Sequence, residues 1–167
     1  GAKAISEVID RSQLKKKDID EVILGQVLTG GTGQNPARQA TIISGLPKEI
    51  PAHIVNQVCG SGLRSVASAF QSIKAGNSKI IVAGGQESMS LAPHAIYLRD
   101  GNKLGNTQII DTLINDGLWD AFNDYHMGVT AENVAEKFKI PIDEQDKFAL
   151  KSQEKALKEQ KENKFKD

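Results

Sequence analysis

The single cysteine of this 167-residue chain, Cys59, lies where a short apolar segment, residues 52–55, gives way to a run of small residues. Apolar side chains then recur at helical spacing, which predicts a helix with one apolar stripe. The stripe consists of Leu63, Val66, Ala67, Phe70 and Ile73. The thiol is thus expected at the start of a helix, where free backbone N–H groups and the helix dipole favour an anion. Because the thiolate is the reactive form of cysteine, the pattern indicates a nucleophile.

The glycines that follow this cysteine are compatible with two interpretations. Gly60 and Gly62 would keep the space above the sulfur clear and allow a turn that other residues resist. A lone free cysteine is, however, often a small buried hydrophobe, and glycines after a strand also serve tight packing without any chemistry. The residue types alone therefore allow both a catalytic and a structural thiol.

The wider sequence around Cys59 matches a known pattern. Residues 56–94 read NQVCGSGLRSVASAFQSIKAGNSKIIVAGGQESMSLAPH, and this run closely resembles the nucleophile region of the thiolase family, especially its biosynthetic acetoacetyl-CoA branch. The resemblance continues through GQNPARQA, NDGLWDAFNDYHMGVTAENVAEKF and DEQDKFALKSQEKA, at residues 33–40, 115–138 and 143–156. Because several separate motifs agree in order and spacing, essentially the whole chain is similar to this family.

The resemblance implies an α/β fold with the αβαβα layers of a thiolase. The chain would supply only the first α/β half, without its opening strand, over residues 1–88. Residues 89–167 would form part of the inserted loop domain, including a loop at about 95–109 that pairs dimers into tetramers. The resemblance therefore implies a homodimer or homotetramer for the full-length protein.

The residues themselves predict alternating strands and helices, which is typical of a parallel sheet with right-handed crossovers. The expected strands are 21–28, 52–55 and 79–83, and the expected helices begin near Ala2, at Pro36 (to about Ser44), after Cys59, at 130 (to 139) and at 143 (to 162). Thr130 and Asp143 are the predicted N-caps of the last two helices. The last helix is expected to pack one stripe of small and apolar side chains, Phe148, Ala149, Ser152 and Ala156.

The chemistry that the resemblance implies is acyl transfer through Cys59. Its thiolate would attack acetyl-CoA, become acetylated and release CoA. The carbanion of a second acetyl-CoA would then attack the acetyl-enzyme to give acetoacetyl-CoA, and the reverse sequence is thiolysis. The family also uses a His, an Asn and a second Cys that have no matching position in residues 1–167, so the isolated chain is expected to be inactive. No metal or cofactor is implied, because the CoA thioesters are substrates.

Two of the histidines are expected to have different roles. His126 could be the general base of a Cys–His hydrolase. The resemblance, however, implies that the pair His126 and Met127 binds the pantetheine arm of CoA and that Leu118 also lies near CoA. His53 precedes Cys59 on a strand by six residues, about 20 Å at roughly 3.3 Å per residue, and is expected to be structural.

The chain departs from the family pattern at two positions. Gln86 stands where Met is usual, and Trp119 stands where a small polar residue is usual. Trp119 would add bulk beside the expected pantetheine channel, which bears on specificity. Glu87 follows a predicted parallel strand, at the edge where ligand sites of α/β folds form, although a turn with a solvated acid would give the same sequence.

The composition excludes several other classes of protein. Lys plus Arg and Asp plus Glu both total 21, so no overall field recruits nucleic acid or an anionic membrane. No apolar stretch is long enough to span a bilayer, and no Cys/His cluster has metal-ligand spacing. A single cysteine forms no internal disulfide and suits a reducing compartment. Together with the resemblance, this predicts a cytoplasmic protein of lipid metabolism without nucleic-acid or membrane partners.

Three functions remain compatible with the sequence. The first is a biosynthetic acetyltransferase, the second a degradative 3-ketoacyl-CoA thiolase, and the third a non-catalytic fragment that contacts CoA. Residues 126–133, HMGVTAEN, favour the first over the second because the degradative branch usually differs there. We therefore predict acetyl-CoA as the substrate and acetoacetyl-CoA as the product.

Overall fold

The computed structural model describes residues 1–164 and divides into two compact units, one spanning Gly1–Leu118 and one beginning at Trp119. The resemblance predicts that the first α/β half ends at residue 88 and that the inserted loop domain begins at residue 89, and this boundary stays a prediction. The far end of that domain, Phe165 to Asp167, lies outside the described residues. The first unit contains the sheet, and the second contains a hairpin and two helices.

The first unit is built on a three-stranded parallel sheet. Its strands are β1 (Glu21–Gly25), β2 (Ala52–Val55) and β3 (Ile81–Gly85), in the order β2-β1-β3. The middle strand is buried on both faces, because Val22 and Leu24 point to one face, Ile23 points to the other, and all three are buried. A continuous apolar run of this kind is typical of a parallel strand that is covered on both sides. The three predicted strands are present, and the predicted α/β class is confirmed.

Two helices, α1 (Ala2–Ser12) and α2 (Pro36–Ile43), cover one face of the sheet. The core between them and the strands includes Ile5, Ile9, Ala37, Ala40, Val22 and Leu24. The start of α2 is fixed by Asn35, whose Oδ1 accepts the Arg38 N–H at 3.1 Å, and by proline in the first turn, where its missing N–H does no harm. The predicted helix is therefore confirmed to within one residue of its end.

The helix α3 (Ser61–Lys74) packs on β1 and β3, but it does not use the predicted apolar stripe. The buried side chains of α3 are small, namely Ser61, Ser65 and Ala69. The Ser65 hydroxyl bonds to the Gly84 carbonyl at 2.7 Å and holds the helix on β3. The stripe is turned outward instead, and its large members are exposed: Leu63 (77%), Val66 (49%), Phe70 (60%) and Ile73 (43%). The predicted helix is present, but its apolar stripe faces away from the core, whereas an amphipathic helix normally turns that stripe to the core.

Beyond β3 the first unit is irregular. Two short strands, β4 (His94–Ala95) and β5 (Ile110–Asp111), pair antiparallel and bring the ends of residues 96–109 together. The N–H and the hydroxyl of Thr112 both bond to the Pro93 carbonyl and reinforce this closure. We call residues 96–109 the clasped loop. The unit also contains two single 3₁₀ turns, Lys16–Asp18 and Met89–Leu91.

The second unit consists of a β-hairpin and two helices. The strands β6 (Trp119–Asp120) and β7 (Tyr125–His126) form the hairpin, and α4 (Met127–Phe138) and α5 (Ile142–Lys161) follow it. Phe148, on the predicted packing stripe of α5, is 78% exposed, and α5 has no buried residue in the part of the chain that the structure describes. The prediction that α5 packs this stripe is therefore wrong for the described residues.

The starts of both helices also differ from the predictions. The His126 side chain caps α4, because its Nδ1 accepts the Gly128 N–H at 3.0 Å. The helix therefore begins three residues before Thr130, the predicted cap. The N-cap of α5 is Pro141, and Asp143 lies in the first turn, where its charge still suits the helix dipole.

The strand β3 begins two residues later than predicted because Asp20 binds the preceding N–H groups. Its Oδ2 accepts the Lys79 N–H at 2.6 Å and the Ile80 N–H at 2.9 Å, so these groups bond to a side chain rather than to a strand. The Ile80 N–H, and then the Lys79 N–H, hold the pKa of Asp20 below its usual value of 3.8. The strand β1 likewise ends at Gly25, three residues short of the prediction.

Replacing Asp20 with asparagine should lower the thermal stability of the chain at neutral pH. A carboxylate whose pKa is lowered on folding stabilises the folded state above the unfolded pKa of 3.8, and this contribution is lost as the pH falls below that value. The melting temperatures of wild type and Asp20→Asn, measured by circular dichroism, should differ at about pH 7 and converge towards about pH 3. Asp10→Asn, at an exposed position of α1, is the control. A difference that does not change with pH would contradict this role.

Candidate active site

Cys59 lies in a tight turn between the end of β2 and the start of α3, and the turn is strained. The residue before it, Val58, has a φ of 49°, in the left-handed region that β-branched side chains avoid. Asn56 holds the turn from the strand side, because its Oδ1 accepts the Val58 N–H at 3.0 Å. Strained backbone of this kind persists only where the surrounding structure enforces it. The contacts around Val58 therefore determine where Cys59 is placed.

Ser61, the first residue of α3, supports the same turn from the helix side. Its Oγ accepts the Gln57 N–H at 2.8 Å and donates to the Val58 carbonyl at 2.6 Å. The Ser61 N–H bonds to the same carbonyl at 3.0 Å, and the Gly60 N–H bonds to the Gln57 carbonyl at 3.0 Å. Ser61 is only 4% exposed, so water competes little for these bonds. Cys59 is thus held between bonded residues on both sides.

The start of α3 lies directly against the ends of β1 and β3 because glycines allow the backbones to meet. A Cβ at Gly25 would lie 2.5 Å from the Gly62 nitrogen, a distance that real Cβ atoms do not adopt. A Cβ at Gly85 would lie 3.4 Å from the Gly62 Cα. Glycine at position 25 is therefore required for this close approach. The approach sets the position of the helix start, and with it the position of Cys59.

The Cys59 thiol is free and exposed. The interpretation of Cys59 as a small buried hydrophobe is therefore wrong, whereas its predicted place between a strand and a helix is confirmed. Cys59 precedes Gly60, the N-cap of the 14-residue α3, so the N-terminal end of a helix lies beside it. That end favours negative charge on an oxyanion formed next to it.

Glu87 holds a loop, a role that the sequence did not reveal. Its two carboxylate oxygens accept the N–H of Val27 at 2.8 Å and the N–H of Leu28 at 3.2 Å. The end of β3 is thereby tied to the loop that follows the neighbouring strand β1. Neighbouring parallel strands end at the same edge of a sheet, and this topology is the signal that could have suggested the contact.

The other predicted site residues are Leu118, His126 and Met127. Leu118 ends a π-helical turn, Ile114–Leu118, in the first unit, which also contains Cys59. His126 and Met127 lie at the start of α4 in the second unit. π-Helical turns are frequent at functional sites, which is consistent with a role for this segment.

The other two histidines contact acids on neighbouring strands. His53 Nδ1 lies 3.2 Å from Glu21 Oε1, and His94 Nε2 lies 3.9 Å from Asp111 Oδ2. His53 therefore contacts the neighbouring strand, and its structural role stays a prediction. Within residues 1–164, no group of three or more His, Cys, Asp or Glu side chains is arranged to hold a metal ion. In the same range, no helix combines the length and the apolar character needed to cross a membrane.

The comparison with known families agrees with this architecture. Residues 1–167 match the family model for the thiolase N-terminal domain. The chain belongs to the thiolase family. An acetyl-CoA acetyltransferase of Paracoccus denitrificans is 58% identical over 167 residues, which are 100% of this chain and 43% of that protein. An acetyl-CoA acetyltransferase of Rhizobium meliloti (strain 1021) is 57% identical over 100% of this chain and 42% of that protein.

A solved thiolase-family structure has the same fold. The crystal structure of the Bacillus anthracis acetyl-CoA acetyltransferase matches with a TM-score of 0.89 and 36% sequence identity. The match covers 96% of this chain and 41% of that one. The chain therefore has the N-terminal part of the thiolase fold, as predicted, and spans about 43% of the length of the curated relatives it matches.

One departure from the thiolase pattern has a partner within this chain. Gln86, where the family usually has Met, donates from Nε2 to Gln26 Oε1 at 2.8 Å. Gln26 Nε2 in turn donates to the Leu28 carbonyl at 2.9 Å, so both ends of this buried amide are bonded. The glutamine pair therefore supports the same loop that Glu87 holds.

Proposed function

We propose that this chain carries the nucleophile of an acetyl-CoA C-acetyltransferase. The observation that carries the proposal is the exposed Cys59 thiol, held on a strained and hydrogen-bonded turn at the N-terminal end of α3. The printed names of the relatives supply the substrate class, acetyl-CoA. The overall reaction joins two acetyl-CoA molecules into acetoacetyl-CoA and CoA, and its reverse is thiolysis.

In the first half-reaction, the Cys59 thiolate attacks the thioester carbonyl of acetyl-CoA. A C–S bond forms to Cys59, and the carbonyl oxygen becomes an oxyanion. Collapse of this intermediate expels CoA as its thiolate and leaves acetyl-Cys59. The backbone N–H of Cys59 and the end of α3 would stabilise the oxyanion, and one such donor contributes about 3 kcal/mol in comparable sites.

In the second half-reaction, a base removes a proton from C2 of a second acetyl-CoA. The resulting carbanion attacks the acetyl-Cys59 carbonyl, and the Cys59 thiolate leaves as acetoacetyl-CoA forms. By the resemblance, the proton transfers need a His and a second Cys, and an Asn positions a water. The relatives are longer than the span they share with this chain. We propose that the His, the Asn and the second Cys belong to the region of those proteins that this chain does not cover.

The other assignments are part of the same proposal. His126, Met127 and Leu118 would contact the pantetheine arm of CoA. These steps use no cofactor, since the CoA thioesters are themselves the substrates. A homotetramer in which the clasped loop pairs dimers, a cytoplasmic location, a role in lipid metabolism and the absence of nucleic-acid and membrane partners remain predictions from the sequence.

Incubation of the chain with acetyl-CoA near neutral pH should transfer one acetyl group to Cys59. Intact-mass spectrometry with peptide mapping would locate the group, and Cys59→Ala should gain none. The same chain should show negligible thiolysis of acetoacetyl-CoA. Acetylation that spreads over lysines and persists in Cys59→Ala would contradict the nucleophile assignment. Hydrolysis of acetyl-CoA that is lost in His126→Ala would instead support a Cys–His hydrolase.

A further inference from the structure

The loop that follows β1, residues 26–28, is held by two consecutive side chains that follow β3. The Glu87 carboxylate accepts the N–H groups of Val27 and Leu28. Gln86, the residue before it, bonds to the first side chain of the loop. Because a carboxylate that binds two consecutive N–H groups leaves the backbone between them little freedom, the loop has a fixed orientation.

One rigid peptide group carries this orientation to the other side of the loop. The Val27 carbonyl and the Leu28 N–H belong to the same planar trans peptide, so they point in opposite directions. Glu87 holds the N–H at 3.2 Å. The carbonyl therefore points away from Glu87, and it accepts the side-chain amide of Asn56 at 3.5 Å.

Asn56 connects this carbonyl to the turn before the cysteine. Its Nδ2 donates to the Val27 carbonyl, and its Oδ1 accepts the Val58 N–H at 3.0 Å. An amide rotated by half a turn would set two donors against each other at Val58 and two acceptors against each other at Val27. The Val27 carbonyl thus selects the orientation of Asn56 in which Oδ1 binds Val58.

Val58 is the residue at which this support matters most. Its φ of 49° is strained for a β-branched residue, and Cys59 follows it directly. A strained residue relaxes when the groups that enforce its conformation are lost. We call the series from Glu87 through the Val27–Leu28 peptide and Asn56 to Val58 the peptide relay.

We infer that Glu87 is a positioning residue for Cys59 and that it acts through the peptide relay. The inference rests on the proposed function, because the position of the thiol matters only if the thiol reacts. Small displacements of a reacting group lower the rate strongly, since the attack needs a defined distance and angle. Glu87 would therefore affect the acetylation of Cys59 without touching the substrate.

The variant Glu87→Gln tests the relay with little change in size. It replaces one carboxylate oxygen with an NH₂ group, so a donor faces one of the two backbone N–H groups. Amide hydrogen exchange, followed by NMR, should become at least about tenfold faster at Val58. Val27 and Leu28 lose their partner directly, whereas Val58 responds only if the relay transmits the change.

An internal reference separates this effect from a general loss of stability. The Ile80 N–H is bound by the carboxylate of Asp20 at the other end of β3, and its exchange should stay unchanged. The matched control is Glu49→Gln, at an exposed glutamate before β2, which should alter none of these amides. Equal acceleration at Ile80 and Val58 would show that Glu87 supports only the fold, and it would overturn the inference.

A double-mutant cycle tests whether the route passes through Asn56. Asn56→Ala removes the acceptor of the Val58 N–H, so Val58 should exchange rapidly in this variant. Adding Glu87→Gln should then have no further effect on Val58, because residues that act in series are not additive. If the two effects were additive, Glu87 would act by another route and the relay would be wrong.

The kinetics of Cys59 acetylation should show the same dependence. In Glu87→Gln, the limiting rate at saturating acetyl-CoA should fall about tenfold, and the half-saturating concentration should stay unchanged. A purely structural role would not produce this separation. Glu87→Asp keeps the charge but shortens the side chain by one methylene, and it should cause a smaller loss. This second variant keeps the inference testable if Glu87→Gln does not fold.

The exchange measurement needs no acetyl-CoA, so its failure can be distinguished from that of the proposed function. Acetylation of the wild type, combined with unchanged Val58 exchange in Glu87→Gln, overturns the relay alone. Faster Val58 exchange in a chain that is not acetylated supports the relay and overturns the nucleophile assignment alone. Faster exchange with an unchanged limiting rate of acetylation overturns the positioning role of Glu87.

Discussion

Changing Cys59 to serine should slow acetyl transfer from acetyl-CoA to residue 59 by at least about a thousandfold. A thiol supplies a useful fraction of thiolate near neutral pH, whereas a serine hydroxyl needs a strong base positioned beside it. The turn is held by Asn56, Ser61 and backbone groups, none of which the substitution removes. The melting temperature should therefore stay at the wild-type value, and the rate of acetylation followed by mass spectrometry should fall.

A second variant tests whether the turn matters or whether any exposed thiol would react. Cys59→Ser combined with Ser90→Cys moves the thiol to the exposed 3₁₀ turn Met89–Leu91. That turn is too short to provide the dipole of a long helix. The moved thiol should be acetylated slowly, at the rate of an ordinary exposed cysteine. Acetylation at the wild-type rate would show that exposure alone explains the reactivity.

Gly25→Ala should destabilise the first unit by about 3 kcal/mol and displace the Cys59 turn. The added methyl would lie 2.5 Å from the Gly62 nitrogen, and the obstructing atoms are backbone that cannot rotate away. Gly25 is also paired in the sheet with Val55 on one side and Gly85 on the other, so β1 cannot move aside without breaking the ladder. Urea unfolding would measure the stability, and alkylation of Cys59 by iodoacetamide would report on the turn.

Gly84→Ala is the matched control for this prediction. Gly84 pairs with Leu24, the residue before Gly25 in the sheet, but a Cβ there would meet no atom within 4 Å. Its effect should stay within about 0.5 kcal/mol, with unchanged alkylation of Cys59. If the two alanine variants were equally stable, the close approach at Gly25 would not be what positions α3.

The positions of the strands and of Cys59 could be predicted from the sequence because local signals determine them. A continuous apolar run specifies a covered parallel strand, as in β1. Asn35 and Pro36 specify where α2 begins, through one side-chain bond and one fixed backbone angle. The alternation of these elements then predicts the α/β class. For Cys59, the strand before it and the helical spacing after it were sufficient.

The orientation of α3 could not be predicted in the same way. Helical spacing shows which residues share a face, but it does not show which face meets the sheet. That choice depends on Gly25, Gly62 and Gly85, which bring the backbones so close that only serine and alanine fit between them. The same limit applies to Glu87, whose partner Val27 is sixty residues away in the chain.

At the two helices of the second unit, more than one nearby residue can serve as the N-cap. Thr130 is a good N-cap by residue type, and Asp143 is another. In the structure the His126 ring accepts the Gly128 N–H and caps the helix, so α4 begins before Thr130. Residue type shows which residues can cap a helix, whereas the backbone conformation at each of these residues decides which one does.

The clasped loop is a segment into which further residues could be inserted. Its two ends are already joined by β4, β5 and the bonds between Thr112 and Pro93, so added residues change mainly the entropy of closing the loop. Each doubling of loop length costs only about 0.6 kcal/mol. Gly101 and Gly105 have open space around them, with no atom within 4 Å of an added Cβ. A peptide tag inserted between them would thus leave the sheet and the cysteine turn unchanged, which makes this loop a suitable place for a label or a surface tether.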